Sequence, residues 1–146
     1  MILDVAATVC IGLLTGVEFA VSAFVNPVLW KLEPAAQAAA IRSFARLLGG
    51  VMPFWYGGCL LLLGIEAALR FRQPGFYLLI GAVAVWIAVI VLTLLFLVPI
   101  NNRLAKMGTQ DLSDAAAREH RQWDGRHRLR VAALIGAFVC LLLAVH

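Results

Sequence analysis

The 146-residue chain is 63% hydrophobic and 14% charged, with a mean hydropathy of +0.93 and a formal net charge of +4. A water-soluble domain of this size must cover itself with polar surface, so this balance excludes one. The modest positive charge, set between apolar runs, points to lipid headgroups and topology and not to nucleic acid.

Four apolar runs, at approximately 5–25, 51–69, 76–98 and 129–145, reach or approach the roughly 20 residues that a helix rising 1.5 Å per residue needs to cross a bilayer. They do not alternate as barrel strands would. The expected fold is all-α: a four-transmembrane-helix bundle forming one integral membrane domain over 1–146, with the lipid bilayer as its first partner.

The opening "MILDVAATVC" has no Lys or Arg and carries Asp4, so a cleaved signal peptide is not expected. The first crossing should end in "FVNPVLWKLEP", where Pro27 discourages continuation and Trp30 suits an interface. After Pro34, "AAQAAAIRSFARLLGG" reads as a short interfacial amphipathic helix: Ile41, Phe44 and Leu48 share one face, Arg42 and Arg46 another, and Gly49-Gly50 ends it. The second crossing runs from "VMPFWYGG" to a tight turn at "EAALRFRQPG", where Glu66 and Arg70 stand four apart as a structural ion pair.

The third crossing is uncharged and should stop at "PINNRLAKMG". "TQDLSDAAAREH" then starts a helix, with Ser113 as its N-cap, that continues into the fourth crossing as a cytoplasmic extension. Lys31, Arg42, Arg46, Arg103, Lys106, Arg118, Arg121, Arg126, Arg128 and Arg130 fall in loops one and three, against Arg70 and Arg72 in loop two. In a bacterial-type inner membrane this places loops one and three in the cytoplasm and both termini outside. Cys10, Cys59 and Cys140 lie inside apolar runs and read as small buried hydrophobes. Gly12 with Gly16, Gly57, Gly64, and Ala84 with Ala88 offer close helix contact.

Polar residues within the crossings carry the functional signal. At 100° per residue, Asp4, Thr8, Thr15, Glu18, Ser22 and Asn26 fall within about 80° of arc, a stripe that should face the bundle interior. Glu18 lies about two turns from the helix end, where an unpaired carboxylate would be costly; an Arg partner that holds two helices together and a ligand- or proton-handling role both fit it. On the fourth helix His120, Trp123, Asp124 and His127 share about 100° of arc with Arg130 beside them, while Arg118, Arg121, Arg126 and Arg128 take the other face. Asn101, Asn102, Trp55 and Tyr56 stand at the same membrane level. Together with Glu18, Ser22, Asn26, Trp123, His127 and Arg130 they can line one pocket open to the cytoplasm.

Four readings fit those residues. A divalent metal ion could sit on His120, Asp124, His127 and Glu18, although no HxxxH or HExxH pattern is present. A proton relay or small transporter subunit could use Glu18 and His127, with alternating access in so few helices requiring a homo-oligomer. A hydrophobic aromatic small molecule could bind among the Trp, Tyr, Asn and His side chains, with His127 as base and Arg130 as anion stabiliser. The fourth is a set of interface anchors with no chemistry, or a non-enzymatic protein that binds a lipid, a quinone or a metal.

"FVNPVLWKL", "VPINNRLA" and "RQWDGRHRLRVAALI", in this order and spacing over nearly the whole chain, resemble the DUF1772 family of small membrane proteins, which includes the anthrone oxygenases. The matching positions are Pro27, Asn101, Asn102, Trp123, His127 and Arg130; other branches look to have Asn or another polar residue at the position of His127. The resemblance implies an anthrone oxygenase-like monooxygenase that needs no flavin, haem or metal. On that expectation His127 is the base and Asn101 or Arg130 holds the enolate oxygen. Trp123 and Trp55 sandwich the rings, Tyr56, Asn26, Ser22 and Asn102 complete the pocket, and Glu18 orients His127 or neutralises Arg130.

Overall fold

The computed structural model describes residues 2–108 and 113–145. Among them the chain forms four long helices and no strand: α1 (Ile2–Leu29), α2 (Pro34–Leu69), α3 (Phe76–Lys106) and α4 (Asp114–Val145), each long and apolar enough to cross a membrane. Many of their large apolar side chains point outward, Phe54 and Leu129 among them. In water such a surface would drive aggregation; in lipid it is the solvent-facing side. The chain is an integral membrane four-helix bundle.

Ala7, Ile11 and Leu14 of α1, Cys59 and Leu63 of α2, Leu79, Ala82 and Trp86 of α3, and Leu134 and Leu141 of α4 form the central core. A second, smaller core of Leu29, Ile41, Ala45, Ile100 and Leu104 closes the end of the bundle that carries most of the basic residues. The polar stripe on α1 does turn inward: Thr15, Glu18 and Asn26 are buried and Asp4, Thr8 and Ser22 partly so. Of the small residues expected at helix contacts, Gly12 makes one, since a Cβ there would stand 3.1 Å from the Phe138 ring, whereas Gly16, Gly57 and Gly64 have open space beside them and Ala84 and Ala88 face outward.

α1 and α3 end within the expected stretches, at Leu29 and Lys106, after running past a proline, and one expected helix boundary is absent, each for a local reason. α1 runs through Pro27 and α3 runs through Pro99, because each proline is the second residue of a fresh α segment that follows a five-residue π turn, at Val21–Val25 and Thr93–Leu97. The wide turn supplies the break that a proline, lacking an N–H and crowding the preceding carbonyl, would otherwise force. The segment after Pro34 is helical, as expected, but it is the start of α2 and not a separate helix lying along the membrane. Its Ile41 and Ala45 face packs on Ile100 and Leu104 of α3. Its arginines cap that helix: Arg42 donates to the Gly108 carbonyl and Arg46 to that of Ala105, both at 2.9 Å, satisfying carbonyls at a helix C-terminus.

The Ser113 hydroxyl accepts from the Ala116 amide at 3.2 Å, so it caps α4 as expected; Thr109, Gln110, Asp111 and Leu112 lie outside the described residues. At the opposite end Arg70 binds Glu66, as read from sequence, and also Asp4 at 3.1 Å and the Ala144 carbonyl at 3.3 Å. One guanidinium thus ties α1, α2 and α4 together. Gly75, at φ 86°, makes the neighbouring turn, and a Cβ there would meet the Ala144 backbone at 2.8 Å.

Candidate functional site

The site sits between the two π turns. A wider helical turn shifts the side chains that follow it, and such turns are frequent at functional sites. Val21 from the first turn and Thr93, Leu94 and Leu97 from the second line a cavity of about 420 Å³, within the usual size range for small-molecule sites. Leu48, Met52, Pro53, Gly57, Ile90 and Val98 give it mostly apolar walls. Its polar lining is Glu18, Tyr56, Thr93, Asn101, Asn102 and Arg130, and Trp123 contributes an indole.

Glu18 is the centre of the polar cluster and is 3% exposed. Its Oε1 accepts from the Tyr56 hydroxyl at 2.8 Å and its Oε2 from Arg130 Nη2 at 2.7 Å. A carboxylate at this depth needs such partners, and two other helices, α2 and α4, supply them. Arg130 also reaches Thr93 Oγ1 at 3.4 Å, and its guanidinium carbon lies 5.6 Å from the centroid of the Tyr56 ring, within range of a cation–π contact.

His127 is fully buried, with both ring nitrogens engaged. Arg130 Nη2 stands 2.8 Å from Nδ1, and Nε2 lies 3.1 Å from the Glu18 backbone carbonyl. A guanidinium can only donate and a carbonyl can only accept, so Nδ1 carries the lone pair, Nε2 carries the proton and the ring is neutral. This arrangement gives His127 a setting different from that of a base open to the cavity. The ring is not part of the cavity wall and has no free lone pair; it sets the position of Arg130 and of the Glu18 backbone. Glu18 Oε2 is 3.3 Å from Nδ1, so Glu18 both neutralises Arg130 and abuts His127.

The inward arc of α4 continues as an aromatic ladder. Trp123 stacks on His127 with centroids 4.6 Å apart and on His120 at 6.0 Å, and His120 meets Trp30 at 5.0 Å. Trp123 is therefore held between two buried imidazoles. Asn101 donates from Nδ2 to the Ala45 carbonyl at 2.9 Å and comes so close to α2 that a Cβ on Gly49 would stand 2.8 Å from it. That contact accounts for a glycine inside a helix that Gly49-Gly50 was expected to end.

Other expected residues lie elsewhere. Trp55 faces α1, donating to the Cys10 carbonyl at 3.2 Å, so it does not sandwich a ligand with Trp123; its neighbour Tyr56 takes the cavity side. Ser22 is half-buried outside the cavity lining. Asn26 points to Asp124, donating at 2.6 Å, and Asp124 also binds Arg128 at 2.9 Å. Asn26 and His120 border a separate space of about 30 Å³ next to Asn101 and Trp123. The alternative ligand set of His120, Asp124, His127 and Glu18 is not assembled, and no group of three or more His, Cys, Asp or Glu side chains positioned to hold a metal ion occurs among the described residues. Thr93 went unremarked in the sequence, although it is the sole hydroxyl in an otherwise uncharged, apolar stretch of the third crossing (apart from Tyr77 at its start).

The family described as anthrone oxygenase matches residues 19–140, which span every residue of the cavity except Glu18, one position before the match. Neither the curated proteins nor the solved structures give a match.

Proposed function

The chain belongs to the anthrone oxygenase family, and from that premise we propose that it oxidises a hydrophobic, enolisable aromatic molecule of the anthrone type with O2, in the cavity between the two π turns. The observation that carries this reading is a buried carboxylate, Glu18, facing an apolar cavity with a guanidinium on one oxygen and a phenol on the other. A carboxylate so held keeps free lone pairs for a proton from the cavity side. Arg130 and Asn101 line the cavity and can donate to the charge that develops on an enolate oxygen. Trp123, its two faces taken by His120 and His127, offers an indole edge for a T-shaped contact with an aromatic ring, adding about 0.5–1.5 kcal/mol beyond burial.

Glu18 removes one of the two benzylic protons, and the electron pair moves to the ketone oxygen as an enolate beside Arg130. The enolate transfers an electron to O2, and the resulting radical and superoxide combine into a carbon-bound peroxide that takes a proton back from Glu18. Loss of the second benzylic proton to Glu18 breaks the O–O bond and expels hydroxide, which leaves as water with that proton. The substrate CH2 becomes C=O and O2 becomes that carbonyl oxygen plus water. All four electrons come from the substrate, so the balance calls for no flavin, haem or metal. In this scheme His127 is a positioning residue.

The test is O2 uptake and quinone formation by detergent-purified protein supplied with emodin anthrone, with and without chelator. Catalysis above the spontaneous rate, indifferent to chelator and lost in Glu18→Gln, is the expected result. A rate no higher than that of buffer with detergent removes this substrate class.

A further inference from the structure

A second hollow of about 310 Å³ lies on the other side of the α3 π turn, between α3 and α4. It shares Thr93, Leu97 and Arg130 with the first cavity but has a different character. Val89, Leu92 and Phe96 of α3 face Leu129 and Ala133 of α4, and Leu92, Phe96 and Leu129 are exposed on the outer surface of the bundle. Val89 to Phe96 and Arg126 to Ala133 each span eight residues, or about 10 Å of helix rise. The hollow is thus a groove running along both helices, apolar for its length and basic at one end.

That basic end is Arg126. Its guanidinium carbon lies 5.1 Å from the centroid of the Phe96 ring, and among the described residues it has no carboxylate partner, unlike its neighbours Arg128, bound to Asp124, and Arg130, bound to Glu18. Arg130 Nε, at the inner wall of the same groove, is buried without a hydrogen-bond partner. A cation free of protein anions at the mouth of an apolar slot complements a ligand with one negative head and a hydrocarbon tail. The exposed position excludes a site closed to lipid.

We infer that this groove holds one anionic phospholipid, its phosphate on Arg126 and an acyl chain along Val89, Leu92, Leu129 and Ala133. The inference does not depend on the reaction assigned to the first cavity. It places a bound lipid against the back of the Thr93–Leu97 turn, whose front lines that cavity, so occupancy also stiffens the wall of the proposed active site.

The test uses the full chain purified in detergent and supplied with phosphatidylglycerol or phosphatidylcholine, read by native mass spectrometry for retained lipid and by thermal unfolding. Wild type is expected to retain one phosphatidylglycerol in preference to phosphatidylcholine, with Tm raised by several degrees. Arg126→Gln, at an exposed position, should abolish the preference while unfolding at the wild-type Tm in lipid-free detergent; Ala133→Phe, which fills the groove without changing charge, should abolish retention; Arg121→Gln should leave both unchanged. Equal retention of the two lipids by wild type, a preference that survives Arg126→Gln, or an equal loss in Arg121→Gln would each overturn the proposal, the last by showing diffuse attraction to the basic face.

Discussion

At the residue scale, His127 holds Arg130 with one ring nitrogen and the Glu18 backbone with the other. Periodicity alone puts His120, Trp123, Asp124 and His127 on one inward arc with Arg130 beside it, and the structure turns them inward. What a helical wheel lacks is the direction and partner of each polar atom. His127 looked like a base because imidazoles titrate near neutrality; its neighbours occupy both nitrogens, leaving Glu18 as the cavity's carboxylate. A positioning role makes a prediction that a base role does not. Asn at position 127 can accept from Arg130 through its carbonyl and donate to the Glu18 backbone through its amide, whereas Leu can do neither. His127→Asn should keep most of the wild-type kcat and His127→Leu should lose it, as followed by quinone absorbance. Equal loss in both would return the imidazole to the chemistry.

At the element scale, four crossings followed from composition, while helix continuity depended on tertiary contacts. Gly49-Gly50 reads as a helix end because each glycine costs roughly 1 kcal/mol inside a helix. The helix continues because Ile41 and Ala45 above the pair are already packed on α3 and Asn101 needs the space at Gly49. Likewise Pro27 reads as discouraging continuation, and the π turns before Pro27 and Pro99 let both helices restart at the proline. Gly49→Ala should displace Asn101 from the Ala45 carbonyl and lower stability by about 1–3 kcal/mol, the usual effect of inserting a methyl into a filled contact. Gly50→Ala, with open space beside it, should be neutral or stabilising. Thermal unfolding of the two variants side by side checks this, and equal behaviour would remove the Asn101 contact as the reason for the glycine.

At the scale of the whole molecule, the bundle is divided by charge. One end carries Arg42, Arg46, Arg103 and the arginines of α4, tied by caps and by the Arg103–Glu119 pair at 2.7 Å; the other is closed by Arg70 on Asp4 and Glu66. Positive residues near short loops stay on the cytoplasmic side, so the cavity should open toward the cytoplasmic half of the membrane. In intact cells a cysteine placed at Gln73, in the turn between α2 and α3, should react with a membrane-impermeant maleimide, and one at Gly108 should react only after permeabilisation, each in a chain with Cys10, Cys59 and Cys140 replaced. The reverse pattern would invert the topology while leaving the site itself unchanged.

The central claim is that Glu18, held between Tyr56 and Arg130, takes the substrate's proton. Exchange of the benzylic hydrogens of anthrone in D2O, followed by NMR without O2 in the presence of the detergent-purified protein, tests it apart from the oxygen step. Wild type should speed exchange above the spontaneous rate. Glu18→Gln, shown to be folded by its helical circular dichroism, should fall back to the spontaneous rate, and His127→Asn should remain close to wild type. Exchange by Glu18→Gln at the wild-type rate would contradict the account and move the base elsewhere in the cavity.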